Sequence, residues 1–419
     1  MPETKKPNPL VFSFWEQVLS QNTFYQSKLE VPRNNLSDWL GNHFFDLPFT
    51  TKKDLQEDQE DHPPYGKFHY SPPGFYCRMH QTSGSTGKPL VFLDTQVGWN
   101  WMLGNWKYIF RTAGLKPSDR LFFPFSFGPF LGFWTAFEAA GQSGYFTLPG
   151  GGLSSEARVA SIQKHAITVL LCTPSYALKL GEVAEQKGIN LRSIPLRKII
   201  LAGEPGASIP ATRSRIERHW GKIVVDHHGM TETGPVSVEC PNHPMLLHLI
   251  PDAFFAEIID PVSSKPLEPS AMGELVLTSL GRVGSAVFRY RTGDLVQGEF
   301  GNCDCGFSGQ SLKGGILGRT DEMIFIKGNN FFPSAIQGFL HEFPEINEYR
   351  AVYWKEKGGE LVLEIELAET EVQSLAAGIS AKFKERFHFT AEVKVVSPGT
   401  LPRAEHKAKR FQVFSKKEG

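Results

Sequence analysis

Residues 197–235 read RKIILAGEPGASIPATRSRIERHWGKIVVDHHGMTETGP. RKIILAGEP at 197–205 and KIVVDHHGM at 222–230 read as buried strands, and their carboxyl ends carry the polar, glycine-containing stretches GEP and HHGMTETGP. Between them SIPATRSRIERHW has helical spacing. Strand, helix and strand in this order predict a parallel α/β unit. Ligands of such sheets sit beyond the carboxyl ends of the strands, so the two loops are where chemistry is expected. Working outward, LFFPF at 121–125 and ITVLLCTP at 167–174 read as two more buried strands, the second preceded by the polar stretch SSEARVASIQKHA. Downstream, FFAEIID, GELVLTSL and AVFRYRTGD are strand-like with turns between them, which predicts a β-rich subdomain. After GRTD the chain alternates AVYWKE, ELVLEIEL, a helical SLAAGISAKFKERF, and AEVKVVSP. The expected fold class is α/β. A large N-terminal domain at 1–320, α/β layers plus a β-rich subdomain, is joined to a small mobile α+β domain at 321–419.

The chain has 419 residues, too many for one small core. Lys plus Arg and Asp plus Glu both number 44, so there is no bulk attraction to nucleic acid or anionic lipid. Any phosphate site must be local. A hydrophobic content of 41% excludes a mostly disordered chain. The opening MPETKKPNPLVF has no long apolar stretch behind it, so neither a secretory signal nor a membrane span is expected. Five cysteines, an odd number, suit a reducing cytoplasm better than a disulfide framework.

Residues 82–89 are Thr82, Ser83, Gly84, Ser85, Thr86, Gly87, Lys88 and Pro89. Small hydroxyl and glycine residues let a backbone approach a polyphosphate, and the lysine adds a point charge. This is not a Walker A loop, because two residues rather than four separate the glycines and proline follows the lysine. Tyr290-Arg291-Thr292-Gly293-Asp294 follows a strand and puts Asp294 where it could accept from ribose hydroxyls. Gly318-Arg319-Thr320-Asp321 lies at the domain junction, and Lys407 sits in LPRAEHKAKR at 401–410. Singly these would read as an exposed turn, a hinge and a solvated basic tail. Their joint order is harder to explain that way.

On these motifs the chain resembles the adenylate-forming superfamily of acyl- and aryl-CoA ligases, and within it the phenylacetate–CoA ligase branch. LPFTTKKDL at 47–55, AGEP at 202–205, EIIDP at 257–261, FRYRTGDL at 288–295 and ILGRTDEMIFIKGNNFFPSAIQ at 316–337 extend the resemblance over nearly the whole chain. It implies a two-step reaction. A carboxylate attacks the α-phosphate of ATP to give an acyl-adenylate and pyrophosphate. The C-terminal domain then swings, and the thiol of CoA displaces AMP. The partners implied are a small carboxylic acid, ATP and CoA, with no nucleic acid and no membrane. Two alternatives stay open: transfer to a carrier-protein phosphopantetheine or an amine, and a non-catalytic adenylate-fold binding protein. The presence of Lys88, Glu232, Asp294, Arg319 and Lys407 speaks against the second.

The resemblance also implies roles. Thr82 through Lys88 would cradle the β,γ-phosphates. Gly203, Glu204 and Pro205, with Asp226, His227, His228, Gly229 and Met230, would frame the adenine. Thr231 would contact the α-phosphate and Glu232 would hold Mg²⁺. Asp294, helped by Arg319, would bind the ribose. Asp321 matches the hinge and Lys407 the lysine that bridges carboxylate and α-phosphate. His228 departs from the family's usual Tyr, and an imidazole in its place is expected to stack on adenine.

Cys240, His248, Cys303 and Cys305 make a Cys₃His set of the kind Zn²⁺ takes, with His243 the rival nitrogen donor. Ordinary reduced thiols are the alternative. The resemblance favours structural zinc, expected to pin two active-site loops together. Cys77 and Cys172 read as structural. The densest aromatic stretch, 122–134, holds Phe125, Phe127, Gly128, Phe130 and Phe133. By the resemblance it borders the carboxylate substrate, with Tyr145 and Phe146 as possible additions, and an aromatic or apolar acid is expected.

Overall fold

The computed structural model describes residues 9–32, 34–82, 88–326, 329–355, 359–367, 372–403 and 410–414. Four helices open the chain: α1 (Pro9–Gln21), α2 (Thr23–Lys28), α3 (Leu36–His43) and α4 (Lys52–Asp61). Thr51 caps α4, with the Asp54 side chain reciprocating, which satisfies two N–H groups that a helix start leaves unpaired. A two-stranded hairpin follows, β1 (Tyr76–Gln81) and β2 (Val91–Thr95).

Next come α5 (Gln96–Thr112), β3 (Arg120–Phe123), α6 (Trp134–Gln142), β4 (Phe146–Pro149), α7 (Ser155–Lys164), β5 (Val169–Cys172) and α8 (Pro174–Gln186). β6 (Lys198–Leu201), α9 (Pro210–Trp220) and β7 (Val224–Met230) complete the α/β layers. β4, β3, β5, β6 and β7 are parallel neighbours in that order. They are short apolar runs because helices cover both faces. On β7, Val225 packs with α5 and α6 while Val224 packs with α7–α9, the alternation a strand imposes. Thr173 caps α8, and Pro174 and Pro210 occupy first-turn positions of α8 and α9, where a missing N–H costs nothing.

β8 (Gly234–Glu239), β9 (Leu246–Leu249), β10 (Phe254–Ile259), β11 (Met272–Ser279), β12 (Tyr290–Asn302) and β13 (Ser308–Arg319) are antiparallel. The sequence predicts a β-rich subdomain here. It is β-rich as expected, and because β8 pairs with β7 these strands continue the parallel layer into one 11-stranded sheet. The helical N-terminus docks on this half through edge-to-face rings; Trp15 and Phe288 have centroids 4.8 Å apart. Arg289 clamps it there. Its guanidinium pairs with Glu257 at 2.6 Å and donates to the carbonyls of Phe45 and Leu47.

The C-terminal domain begins with β14 (Ile324–Ile326), β15 (Asn329–Phe331) and α10 (Pro333–Leu340). β16 (Ile346–Trp354), β17 (Glu360–Leu367), α11 (Val372–Phe387), β18 (Glu392–Val396) and β19 (Phe411–Phe414) follow. Its four-stranded sheet runs β18-β17-β16-β19 over a separate core that includes Phe331, Phe339, Leu363, Ile365 and Phe383. Among the described residues no helix is long and apolar enough to cross a membrane.

Candidate active site

The loops at the carboxyl ends of the parallel strands converge with one end of the β12–β13 hairpin. There Asp294 faces Arg319 across the ladder. The Asp294 carboxylate is almost fully buried and accepts from Arg319 Nη1 at 3.0 Å and from His228 Nε2 at 3.1 Å. Burial pushes this carboxyl up, but the two cationic-side donors pull it further down, and its pKa ends below the usual carboxylate value. Gly293 sits at φ +75°, and a Cβ there would meet Arg319 Nη2 at 2.8 Å; the glycine leaves the guanidinium its place. Arg319 also donates twice to Asp321, each time at 3.0 Å, so the expected hinge residue and the expected ribose acid grip one guanidinium.

The Thr231–Glu232 turn is held from behind. Arg282, fully buried, pairs with Asp94 at 2.8 and 3.0 Å and donates to the carbonyls of Thr231 at 2.7 Å and Glu232 at 3.0 Å. A buried guanidinium with its donors paired this way is a rigid support. The Glu232 side chain lies beside the buried Tyr290 phenol, whose pKa burial and the Glu232 charge drive well above its ordinary value. Tyr290 lies within FRYRTGDL, whereas Arg282 stands in no recognisable motif of the sequence.

Asp226 accepts from the Ser208 hydroxyl, and its backbone N–H donates to Glu239 at 2.6 Å. Desolvation raises its carboxyl pKa to about 6. His227 lies on the opposite face of β7 from Asp226 and His228. Its ring packs against Trp106 with centroids 4.5 Å apart, and Nδ1 donates to Ser237 O at 2.7 Å. The expectation that His227 frames adenine alongside these neighbours is therefore corrected by strand alternation. His228, on the other face, has its imidazole Nε2 engaged by the Asp294 carboxylate at 3.1 Å. Gly229 lies close against Gly234, where a Cβ would sit 2.8 Å from a carbonyl oxygen. Met230 packs with the N-terminal helical cluster.

Glu204 accepts from Ser175 N at 2.7 Å, which ties the AGEP loop to the start of α8; Gly203 has φ +94°. The C-terminal domain reaches the same place. Arg410 Nη1 donates to Ser175 Oγ at 2.9 Å, while its other donors pair with Glu348 at 2.5 and 3.0 Å. Arg403 pairs with Glu366 at 3.0 Å and Glu348 at 3.4 Å. Gln337 donates to Pro205 O at 3.3 Å, and His341 Nδ1 meets Thr212 Oγ1 at 2.7 Å. Lys407 lies outside the described residues, as do Ser83, Gly84, Ser85, Thr86 and Gly87. Thr82 is paired to Leu90 through its backbone and hydroxyl, and Lys88 forms an exposed ion pair with Glu60 at 2.9 Å.

In the aromatic run, Phe125 stands 4.9 Å from Phe133 and 4.8 Å from Phe127, and Phe133 in turn is 6.2 Å from Trp106. The Gly128 carbonyl accepts from Trp134 Nε1 at 2.9 Å. Phe130 departs from this group and is 48% exposed. Phe146 is exposed at the start of β4, the opposite strand end, and Tyr145 packs on Phe110.

The Sγ atoms of Cys240, Cys303 and Cys305 and a ring nitrogen of His248 all lie within 4.8 Å of one another. Cys240 and Cys303 sulfurs are 3.7 Å apart, and His248 Nε2 is 3.2 Å from Cys305 Sγ. A tetrahedral Zn²⁺ with bonds near 2.3 Å separates its sulfurs by about 3.8 Å, so the donor set fits the ion. His248 Nδ1 bonds Ser311 Oγ at 2.8 Å, which frees Nε2 for the cluster. His243 pairs instead with Asp304 at 2.8 Å. The cluster joins the β8–β9 turn to the tip of the β12–β13 hairpin. From Asp294 to Asn302 is roughly 26 Å of strand at about 3.3 Å per residue. The expectation that it pins two active-site loops is thus corrected: it closes the far end.

Fold and site together define an adenylate-forming enzyme: loops converging at one end of a large mixed sheet, with a separate small C-terminal domain. Residues 48–282 match the AMP-binding enzyme family and residues 328–413 the AMP-binding enzyme C-terminal domain. A phenylacetate-coenzyme A ligase of Thermus thermophilus is 30% identical over 382 residues, covering 86% of this chain and 84% of that protein. A crystal structure of 2-hydroxyisobutyryl-CoA ligase in the postadenylation state, 27% identical, covers 97% of this chain and 89% of its own with a TM-score of 0.89. The same ligase in its thioesterification state, with CoA, covers 99% of this chain and 91% of its own at a TM-score of 0.72. The chain belongs to the AMP-binding enzyme family. It is an AMP-forming acid–thiol ligase, which makes an acyl-adenylate from a carboxylic acid and ATP and then a thioester with CoA.

Proposed function

We propose that the acid is aromatic or otherwise apolar. The observation that carries this is a line of ring contacts from the nucleotide strand to the aromatic run: His227, Trp106, Phe133, Phe125. Residues 121–134 contain no charged side chain to meet a second ionic group on the substrate. The phenylacetate-coenzyme A ligase relative is consistent with such an acid.

Phosphoryl transfer needs positioning and charge neutralisation more than covalent help. Thr231 would contact the α-phosphate, Asp294 the ribose, and Gly203, Glu204, Pro205 and Asp226 the base. Lys407 would bridge carboxylate and α-phosphate; Arg410, three residues on, is already anchored at Ser175 beside Glu204. Glu232 would hold Mg²⁺, which neutralises polyphosphate charge. One carboxylate plus substrate phosphates is how this ion is commonly bound. We place the domain boundary at 320/321 with Asp321 as hinge. The better match to the postadenylation state supports an arrangement that precedes thioester formation. Cys240, His248, Cys303 and Cys305 would hold a structural Zn²⁺. Five free cysteines fit a reducing compartment such as the cytoplasm.

The test is ATP–pyrophosphate exchange with a panel of acids, followed by AMP release with and without CoA. Exchange driven by aryl or apolar acids, with AMP release dependent on CoA, is the expected result. Exchange driven only by short or doubly charged acids would overturn the substrate reading.

A further inference from the structure

Asp294 is held by two donors from different strands, and one of them is unexpected. Arg319 Nη1 takes Oδ1 at 3.0 Å, and His228 Nε2 takes Oδ2 at 3.1 Å. The backbone N–H of Asp294 goes to Thr292 Oγ1 at 3.0 Å, so it does not compete for the carboxylate. A carboxylate offers about four lone-pair positions. With one taken on each oxygen, one remains on each, which is the pattern a vicinal diol requires. His228 Nε2 must carry the proton, because the carboxylate can only accept. Its other nitrogen, Nδ1, is buried without a hydrogen-bond partner, and so is the hydroxyl of Ser237, its cross-strand neighbour on β8. Among the described groups the Asp294 carboxylate is therefore what holds the imidazole.

We propose that His228 is a positioning residue for ribose recognition: with Arg319 it fixes the plane of the Asp294 carboxylate, so that both oxygens meet the 2′- and 3′-hydroxyls at once. It acts through Asp294 and not by stacking on the base. An aromatic residue without a ring N–H would leave Oδ2 without its protein donor and the carboxylate free to turn about its χ2 bond. The proposal rests on the ribose role of Asp294 argued above.

Direct titration of ATP and of 2′,3′-dideoxy-ATP into wild type, His228→Phe, His228→Gln and Asp294→Asn separates the two readings. His228→Phe should weaken ATP roughly tenfold, the loss of one charge-assisted hydrogen bond, and leave dideoxy-ATP unchanged. His228→Gln, which keeps a donor, should retain most of the ATP affinity. His228→Leu serves as a second donorless variant if the Phe variant does not fold. Equal weakening of both nucleotides by His228→Phe would overturn the proposal, because the ring would then act on the base or on the fold. Asp294→Asn weakening ATP while His228→Phe does not would overturn it as well and leave the ribose role intact. Asp294→Asn binding ATP as tightly as wild type would remove the ribose role itself.

Discussion

The two ends of the β12–β13 hairpin have the same backbone and opposite chemistry. At one end the buried Asp294 and the half-buried Arg319 face each other, next to a left-handed glycine and the exposed Asp321. At the other, Cys303 and Cys305 close on Cys240 and His248. The first end keeps unused acceptor positions and passes directly into the C-terminal domain. The second has four soft donors within reach of one ion and no carboxylate among them. A strand pair fixed at its far end can present a ligand-binding end without losing register, since a one-residue slip would turn Asp294 to the other face. On the proposed reading the far end would serve the site through stability, not through contact.

The largest effect should come from the proposed chemistry beside the ligand-binding end. Lys407→Ala should slow adenylation roughly 10²–10³-fold, the usual cost of removing a group that stabilises transition-state charge. Thioester formation from preformed acyl-adenylate should survive, because the proposed role of Lys407 is confined to the first half-reaction. Equal losses in both half-reactions would erase that assignment.

Next, the ends can be broken separately. Gly293→Ala would force a Cβ against the Arg319 guanidinium and strain a positive φ. ATP binding should weaken roughly 10- to 100-fold, since hydrogen bonds to charged groups contribute about 1.5–3 kcal/mol. Its metal content should match wild type. Cys305→Ser should do the reverse: zinc, expected at about one per chain by metal analysis, should be lost, the melting temperature should fall, and ATP affinity should stay within about twofold. If Cys305→Ser weakened ATP as much as Gly293→Ala, the two ends would be coupled and the comparison would fail.

The parallel layer was legible because its strands are buried on both faces and appear as unbroken apolar runs, such as VLLC and KIIL. The loops after them were legible from their glycines and polar residues. What escaped were supports that join distant positions without any period. Arg282 finds Asp94 across 188 residues, and Arg410 finds Ser175 across 235. A lone arginine in LGRVGS carries no local sign of such a partner. The two arginines of FRYRTGDL stand within a nucleotide motif, yet Arg289 and Arg291 pair with Glu257 and Glu274 and build the sheet. The one-residue alternation that sends His227 to Trp106 and His228 to Asp294 was present in the sequence. KIVVDHHGM at 222–230 has the look of a strand, yet the resemblance assigns Asp226 to Met230 to the adenine as one block. Alternation along β7 separates the two histidines.

The smallest expected effect tests that alternation. His227 is buried against Trp106, and desolvation lowers its pKa to about 3. In the unfolded chain a histidine titrates near 6.5. Below that pH the unfolded state binds a proton that the native state refuses, so stability falls as the medium becomes more acidic. The slope approaches about 1.4 kcal/mol per pH unit for this one group, and it begins near pH 6.5 and continues until the native histidine titrates near 3. His227→Phe keeps a ring against Trp106 and removes the titration. Urea unfolding at pH 7.5 and pH 5.5 should therefore show wild type losing about 1.4 kcal/mol more than the variant between the two conditions. If His227→Phe followed the wild-type pH dependence, His227 would be exchanging protons with solvent in the native state, and the separation of the two histidines onto opposite faces of β7 would be wrong.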